Sequence, residues 1–496
     1  DRMEKRLTLA RDRYGIKPLY IHKQKNCLMF ASEIKAFYQH PGMEKKIDKE
    51  ALVEYFTFQN IISNKTLNEN VKMLAPGHLM SFKMVNGALL EETRSYWDFN
   101  FSEPTSFLSY EEYLEELKSL MQRAISRQLR SDVELGSYLS GGMDSGSITA
   151  YAATQIKNLK TFTIGFDLSS ASGMELSFDE RRSAESMSYA FGTEHYEMVL
   201  KAGDMERCMK DLVWHLEEPR VGQSYPNYYA SKLASKFCKV VLAGTGGDEV
   251  FAGYPWRYYR AVVNSDFESY VDKYYSFWKR LMDNRELIDV FEPIRSQTKH
   301  VWTRDIMRDK FSLHASELTT PEDYVNHSLY FEAKTFLHGL LVVEDKLSMA
   351  HSLETRLPFL DNDLVDFALT IPVHHKLGNL DKIVQLDEND LEGKHKYYQR
   401  SRDGKMILRE AMRSFVPDEI VDATKQGFSA PDATWFKGDS IEYVKDSLLN
   451  KRAGIYDYFS YSATTKLVEQ HINGEQNRRL LIWSLLSFNE WLEAYM

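Results

Sequence analysis

Two short glycine-rich segments carry the residues best suited to holding an anion. Ser140-Gly141-Gly142-Met143-Asp144-Ser145 stands between an apolar extended run, 133–139, and a helical pattern over 144–157. A loop of small residues in that position aims backbone N–H groups and a helix N-terminus at a bound anion, and the glycines let phosphate approach the backbone. Asp144, in the first helical turn, is a poor direct contact for phosphate but a suitable ligand for a magnesium ion that also holds phosphate oxygens. No lysine follows the glycines and no G-x-x-x-x-G-K-[ST] pattern is present, which excludes a Walker A loop and argues against γ-phosphoryl transfer. An ordinary serine-glycine turn capping a helix is the competing reading of the bare motif.

The second segment, Gly244-Thr245-Gly246-Gly247-Asp248-Glu249, also follows an apolar strand-like run, Val240-Val241-Leu242. Alone it reads as a tight turn. Paired with the first at the carboxyl ends of parallel strands, it faces the same crevice, where open α/β sheets bind ligands, and Asp248 becomes a second candidate magnesium ligand.

The surrounding pattern supplies such strands. From residue 133, extended and helical periods alternate: 133–139, 160–166, 195–200 and 239–243 extended, 144–157 and 179–191 helical. This βαβ rhythm predicts a doubly wound parallel sheet, an α/β fold, followed from about residue 266 by a mostly helical part. Before it, up to about residue 100, short strands at 19–21, 27–30 and 78–84 are punctuated by glycine and proline, with one helix over 49–58; this part is β-rich. A polar stretch, 100–109, reads as a linker, and 110–129 as an amphipathic helix. The polar segment 377–403 reads as an exposed insertion. The expected domains are 1–100 and 110–496.

With 62 Lys and Arg against 72 Asp and Glu among 496 residues, the chain carries a formal charge of −10, which argues against a nucleic-acid binder held by phosphate contacts. No apolar run reaches membrane-spanning length, and there is no signal-type apolar core near the start, so a cytoplasmic location without membrane contact is expected. Cys27, Cys208 and Cys238 are widely spaced and form no C-x-x-C pair. His195 and the pair His374-His375 show no metal-ligand spacing and read as satisfied or solvated side chains.

These blocks resemble the asparagine synthetase family, glutamine-dependent amidotransferases built on an N-type ATP pyrophosphatase domain. The resemblance rests on 140–145, on Thr161-Phe162-Thr163-Ile164-Gly165-Phe166, on 244–254, and on Glu344-Asp345-Lys346-Leu347-Ser348-Met349 running into Glu354-Thr355-Arg356-Leu357-Pro358-Phe359-Leu360-Asp361. It continues through Gly404-Lys405-Met406 and Lys425-Gln426-Gly427, while 10–20 and 30–35 are similar to the closing third of the family's glutaminase domain. The resemblance implies ATP and magnesium as cofactors, attack of a substrate carboxylate on the α-phosphate to give an acyl-adenylate and pyrophosphate, and displacement of AMP by ammonia. Matching positions imply that Ser140, Gly141, Gly142 and Ser145 hold the pyrophosphate portion. They also imply that Asp144 and Asp248 bind magnesium and that backbone at Leu139, Ile164 and Gly244 lines the nucleotide. Lys405 and Lys425 match lysines near the phosphates and the reacting centre, where fixed positive charge stabilises the departing pyrophosphate. The implied partners are small molecules, namely ATP, aspartate or another carboxylate, and ammonia or glutamine, with a homodimer as an allowed assembly and a tunnel between the domains.

Two departures from the family pattern stand out. The family's nucleophile is an N-terminal cysteine, whereas the first cysteine here is interior Cys27, and the chain opens in what reads as mid-strand. A sequence that begins inside the glutaminase domain, and a chain as written that does not hydrolyse glutamine, are the expectations. The second departure is Thr245, where family members carry a glutamate that helps ammonia lose its proton. A hydroxyl is a weak base by comparison, so either a neighbour such as Glu344 or Glu354 substitutes or the acceptor is not aspartate. A relative amidating another carboxylate and a nucleotide-binding protein without turnover are the alternative readings.

Overall fold

The computed structural model describes all residues except 25–26, 86–87, 107, 170–174, 177, 315–316, 382–401 and 424–429. Its centre is a five-stranded parallel sheet made of β7 (Leu135–Tyr138), β8 (Lys160–Phe166), β9 (Glu194–Leu200), β10 (Val240–Leu242) and β11 (Glu354–Arg356) in the order β11-β10-β7-β8-β9. The chain enters at β7, adds β8 and β9 on one side, then returns to place β10 and β11 on the other. The change of direction falls between β7 and β10, whose registers run Val240 to Leu135 and Leu242 to Ser137. Loops leaving two such neighbouring strands open a crevice at the sheet's carboxyl edge.

The sheet is apolar on both faces because helices cover both. Six of the seven residues of β8 are buried, as a parallel strand between two helical layers requires. One core cluster includes Leu135, Leu139, Ile148, Ala184 and Leu242, the other Phe162, Phe166, Met209, Leu233 and Val241. The helices concerned are α3 (Met143–Gln155), α4 (Arg181–Phe191), α5 (Ala202–Leu216) and α6 (Tyr225–Ala234). Gly136 lets β7 sit tightly against its neighbours: a Cβ there would lie 2.6 Å from Phe162 Cε2 and 3.0 Å from the Lys160 carbonyl oxygen.

The N-terminal part contains two antiparallel three-stranded sheets. One has the order β1-β5-β6, from β1 (Arg6–Ala10), β5 (His78–Val85) and β6 (Ala88–Ser95). The other has the order β3-β2-β4, from β2 (Tyr20–Gln24), β3 (Cys27–Ala31) and β4 (Val71–Met73). Helix α1 (Lys49–Phe58) starts at Asp48, whose carboxylate accepts from the amides of Glu50 and Ala51, and it buries Phe56 against Phe291, Phe459 and Phe488 of the helical part. Helix α2 (Tyr110–Gln128) opens with a capping box between Ser109 and Glu112 and turns Tyr113, Leu117, Leu120 and Ala124 inward.

Three expectations need correction. The stretch 100–109 does not begin as a linker: Phe99 and Phe101 are buried with rings stacked 5.8 Å apart, and Glu103 Oε1 accepts from Asn326 at 3.1 Å and from the Val373 amide at 3.0 Å. The polar composition of that stretch conceals one aromatic anchor, Phe101, which stacks on Phe99 just before it. The helical part is interrupted by β11, three residues whose Thr-Arg content carries no strand signal but which complete the sheet edge against β10. The described ends of 377–403 are exposed only in part: Asn379, Asp381 and Arg402 are exposed, whereas Leu377 and Leu380 are buried and the Gly378 amide donates to the Asp403 carbonyl at 2.9 Å; the rest of that expectation lies outside the described residues. Among the described residues no helix is long and apolar enough to cross a membrane.

Candidate active site

The first loop leaves β7 at Tyr138 and enters α3, whose N-cap is Gly142 with no side-chain cap. A helix start without a side-chain cap leaves amides available to a bound anion. Ser145 folds back inside the loop: its Oγ accepts from the Ser140 amide at 3.1 Å and lies 2.9 Å from Ser140 Oγ, while the Gly142 amide donates to Ser140 Oγ at 3.3 Å. The Gly141 amide donates to a carboxylate oxygen of Glu180 at 3.3 Å. An acidic side chain thus rests against one of the loop's own amides. In the sequence Asp179-Glu180 follows the 161–166 block as part of the resemblance to the family, but that resemblance gives Glu180 no role.

The second loop packs directly on the first. A Cβ at Gly244 would lie 2.9 Å from the Ser145 amide nitrogen and 3.0 Å from Asp144 Cβ, and one at Gly247 would lie 2.8 Å from Asp144 Oδ1. Gly246 has φ +103°, a conformation open to glycine and strained for other residues. Asp144 and Asp248, 104 positions apart in the chain, converge because Gly244 and Gly247, where the loops touch, carry no side chain.

Lys405 joins them. Its ammonium lies 2.6 and 2.5 Å from the two carboxylate oxygens of Asp144 and 2.5 Å from Asp248 Oδ1. The lysine side chain is 5% exposed, so this is a nearly desolvated cation between two carboxylates. Lys405 itself has φ +59°, and sits at the N-cap of the helix Met406–Met412 with its amide donating to the Phe251 carbonyl at 3.1 Å. A non-glycine residue held there costs on the order of 1 kcal/mol or more, and such strain clusters at functional sites. Gly253 makes the room: a Cβ on it would lie 2.1 Å from Asp248 Oδ1 and 2.6 Å from Lys405 Cε.

The remaining expected residues separate. The Leu139 amide donates to the Phe162 carbonyl at 3.0 Å and its carbonyl accepts from Thr163 Oγ1, so its backbone is bound into the sheet. Ile164 is buried on β8, two residues beyond Tyr138–Phe162, where pairing with β7 stops. Gly244, the first residue of the second loop, packs on Asp144 and Ser145 of the first. Lys425 lies outside the described residues.

Glu344, on the helix His338–Met349, is partly buried. Burial lifts its carboxyl to about 7, and nearby Asp345 adds to the rise; the side chains of Thr355 and Thr245 face it and pull the other way, as does Lys17. Among the described residues, buried Thr355 Oγ1 has no other hydrogen-bond partner. The neighbouring charged residues serve the framework. Asp345 pairs with Lys17 at 2.6 Å, Glu354 with Arg356 at 2.7 Å, and Arg356 Nη1 donates to the carbonyls of Gln128 and Arg130 at 2.7 Å. A single motif in the sequence thus divides into one residue that faces Thr245 and three that hold strands and helices together. His195 sits between Thr161 Oγ1, 2.9 Å from its Nδ1, and Glu197, 3.2 Å from its Nε2.

Behind the loops, Glu249 accepts from the Tyr254 hydroxyl at 3.0 Å, and its burial next to Asp248 raises it to about 7. Arg257 pairs with buried Glu332 at 3.0 Å and lies 3.7 Å from the Tyr254 ring centroid and 4.4 Å from that of Phe336. Aromatic residues around 254–278 gave no functional signal in the sequence, and their role in walling the site is visible only in three dimensions.

Comparison with known proteins places this arrangement. Residues 116–493 match the family model for asparagine synthase, and residues 1–97 match that for the glutamine amidotransferase domain. Among curated relatives, asparagine synthetase [glutamine-hydrolyzing] 1 of Bacillus subtilis (strain 168) is 28% identical over 97% of this chain and 74% of its own length. Asparagine synthetase [glutamine-hydrolyzing] 3 of the same organism is 27% identical over 99% and 77%. Amidase chyE of Penicillium rubens is 25% identical over 94% and 73%. An NMN synthetase of known structure from Francisella tularensis matches 45% of this chain and 94% of its own at 13% identity and a TM-score of 0.22, too slight a likeness to carry an argument. With the synthase model spanning well over half its length, the chain belongs to the asparagine synthase family of ligases, with a glutamine amidotransferase match at its N-terminal end.

Proposed function

We propose that the chain makes an amide from a carboxylic acid and ammonia through an acyl-adenylate, consuming ATP and releasing AMP and pyrophosphate, with aspartate as the leading substrate. The observation that carries this reading is the meeting of Asp144, Asp248 and Lys405 beneath two glycine-rich loops at the sheet's switch point.

In this reading the amides and hydroxyls of Ser140, Gly141, Gly142 and Ser145 receive the pyrophosphate portion of ATP, displacing Glu180 from the Gly141 amide. Lys405 supplies fixed positive charge as the bond to the α-phosphate breaks, and Lys425 is assigned the same duty. Two carboxylates facing one small space suit magnesium, which takes one or two protein carboxylates and completes its shell with water and phosphate oxygens. Asp144 and Asp248 would hold it, and the ion would neutralise the phosphates and polarise the α-phosphate. Leu139, Ile164 and Gly244 line the nucleotide. The acyl carbon is then attacked by ammonia: the new C–N bond forms, AMP leaves with the electron pair of the acyl-phosphate bond, and the nitrogen sheds one proton. Glu344, lifted to about 7 and facing Thr245, is the base assigned to that proton. Glu354 is exposed and paired to Arg356, which argues against it.

A second reading, amidation of another carboxylate, is favoured by Thr245 and by relatives named amidases at 24–25% identity. Pyrophosphate release measured across a panel of carboxylic acids with ATP, magnesium and ammonium decides between them. Release and asparagine formation with aspartate support the first reading, and release with another acid alone supports the second. Asp144→Ala should abolish release with any acid; a variant that kept it would remove the basis for both.

A further inference from the structure

A cavity of about 370 Å³ lies where the segment after the helix Phe267–Trp278 meets the start of the helix Arg479–Tyr495. None of the residues assigned above to ATP or the acceptor lines it. Its charged lining is Lys279, Arg280, Arg478 and Arg479 against Asp283 and Glu286.

The two carboxylates are already committed. Asp283 caps the helix Asn284–Val290, accepting from the amides of Arg285 at 2.9 Å and Glu286 at 2.8 Å. Glu286 accepts from the Asp283 amide at 2.9 Å and from the Arg478 guanidinium at 3.0 Å. The cations are less well matched. Among the described residues, Arg280 Nη1 and Arg478 Nε are shut off from solvent with no hydrogen-bond partner, and Lys279 is in no ion pair but lies 5.4 Å from the Tyr275 ring centroid. Burial first, and then the nearness of Arg257 and Arg479, pushes the Arg280 guanidinium down to about 10. Arg280 is also fixed in place, its amide donating to the Thr57 carbonyl of α1 at 3.0 Å.

Orphaned donors on buried cations are costly unless something accepts from them. A space of this size suits a small ligand, since binding cavities run from roughly 300 to 1,000 Å³. We propose that this cavity is a second binding site, separate from the ATP site, for a small polyanion bearing two or more phosphate or carboxylate groups. The guanidinium of Arg280 offers the planar fork such groups prefer, and Lys279 adds a point charge. The occupant would tie α1, through the Thr57–Arg280 link, to the C-terminal helix that Arg479 begins. The site does not depend on the adenylation reading, and its test reads binding rather than turnover.

The test uses the whole chain without magnesium, with EDTA present, and with pyrophosphate and citrate as separate probes at millimolar concentration, followed by calorimetry and thermal melting. The expected result is saturable binding of at least one probe with a rise in Tm, of which a component persists in Asp144→Ala and is weakened by roughly tenfold or more in Arg280→Gln. Lys279→Gln, at a less enclosed position, should weaken binding severalfold while melting as the parent does without ligand, and it decides the matter if Arg280→Gln fails to fold. Binding of pyrophosphate alone assigns a phosphate ligand, and binding of citrate alone a carboxylate. Binding of neither probe, or binding lost in Asp144→Ala and kept in Lys279→Gln, overturns the proposal.

Discussion

The sharpest expectations concern single residues. Because Glu344 ionises near pH 7, the amide-forming step should rise as pH increases through about 7 and level off above it. Glu344→Gln should lose that limb and leave pyrophosphate release intact, a split read by measuring pyrophosphate and amide separately across pH; equal loss of both would place Glu344 in the framework instead. Restoring an acid at Thr245 in the Glu344→Gln background should recover part of the lost amide formation. Lys405→Met removes the cation between two carboxylates, and its loss of pyrophosphate release should reach roughly a hundredfold or more, the scale of one charged group acting on a developing anion. Asp144 and Asp248 stood out in the sequence as acids in glycine-rich loops after apolar strands, whereas Lys405 carried no local signal of its own and was expected only through the resemblance of its flanking block to the family. Glu344 was only a named alternative, since its meaning depends on a contact with a residue 99 positions away.

At the scale of elements, the two loops work only if they touch. Gly244→Ala places a Cβ 2.9 Å from the Ser145 amide, backbone that cannot swing aside. It should weaken ATP binding in an equilibrium titration while the far-UV circular dichroism stays that of the parent. The helix Asp432–Trp435 gives a stability expectation. Its buried Asp432 accepts from Tyr225 at 2.9 Å and is lifted to about 7 by burial. The folded form therefore keeps a proton that the unfolded chain has lost, and stability should fall as pH rises from about 4 to 7. Asp432→Asn should flatten that slope in denaturant melts, and an unchanged slope would contradict the assignment. Periodicity located α1, α2 and β8 closely because each has a full apolar face or run. The three-residue β11 was missed, since a strand that short is defined by its neighbour's edge and not by its own composition.

At the scale of the molecule, the N-terminal part is built onto the α/β part rather than tethered beside it. Glu217, at φ +68°, accepts from the amides of Ile34 at 2.9 Å and Lys35 at 2.8 Å and is paired with buried Lys346. Lys346 also lies 4.7 Å from the Tyr20 ring centroid. Lys346→Met leaves the buried Glu217 carboxylate with only the Lys35 ammonium, 3.3 Å away, and should lower stability by less than the about 3–5 kcal/mol of a fully unpaired buried charge, seen as a lower midpoint for both parts together. Separate transitions would show that the two parts melt independently. None of this seat was readable from the sequence, where Glu217 and Lys346 are 129 positions apart and both look like surface charge.

The most direct test of the central claim is pyrophosphate release by the purified chain with ATP, magnesium and aspartate, given ammonium or glutamine, with asparagine measured in parallel and Asp144→Ala as the control. Release coupled to asparagine, absent in the control, is the predicted result. Release that persists in Asp144→Ala, or no release with aspartate or any other carboxylic acid although ATP binds, would contradict it.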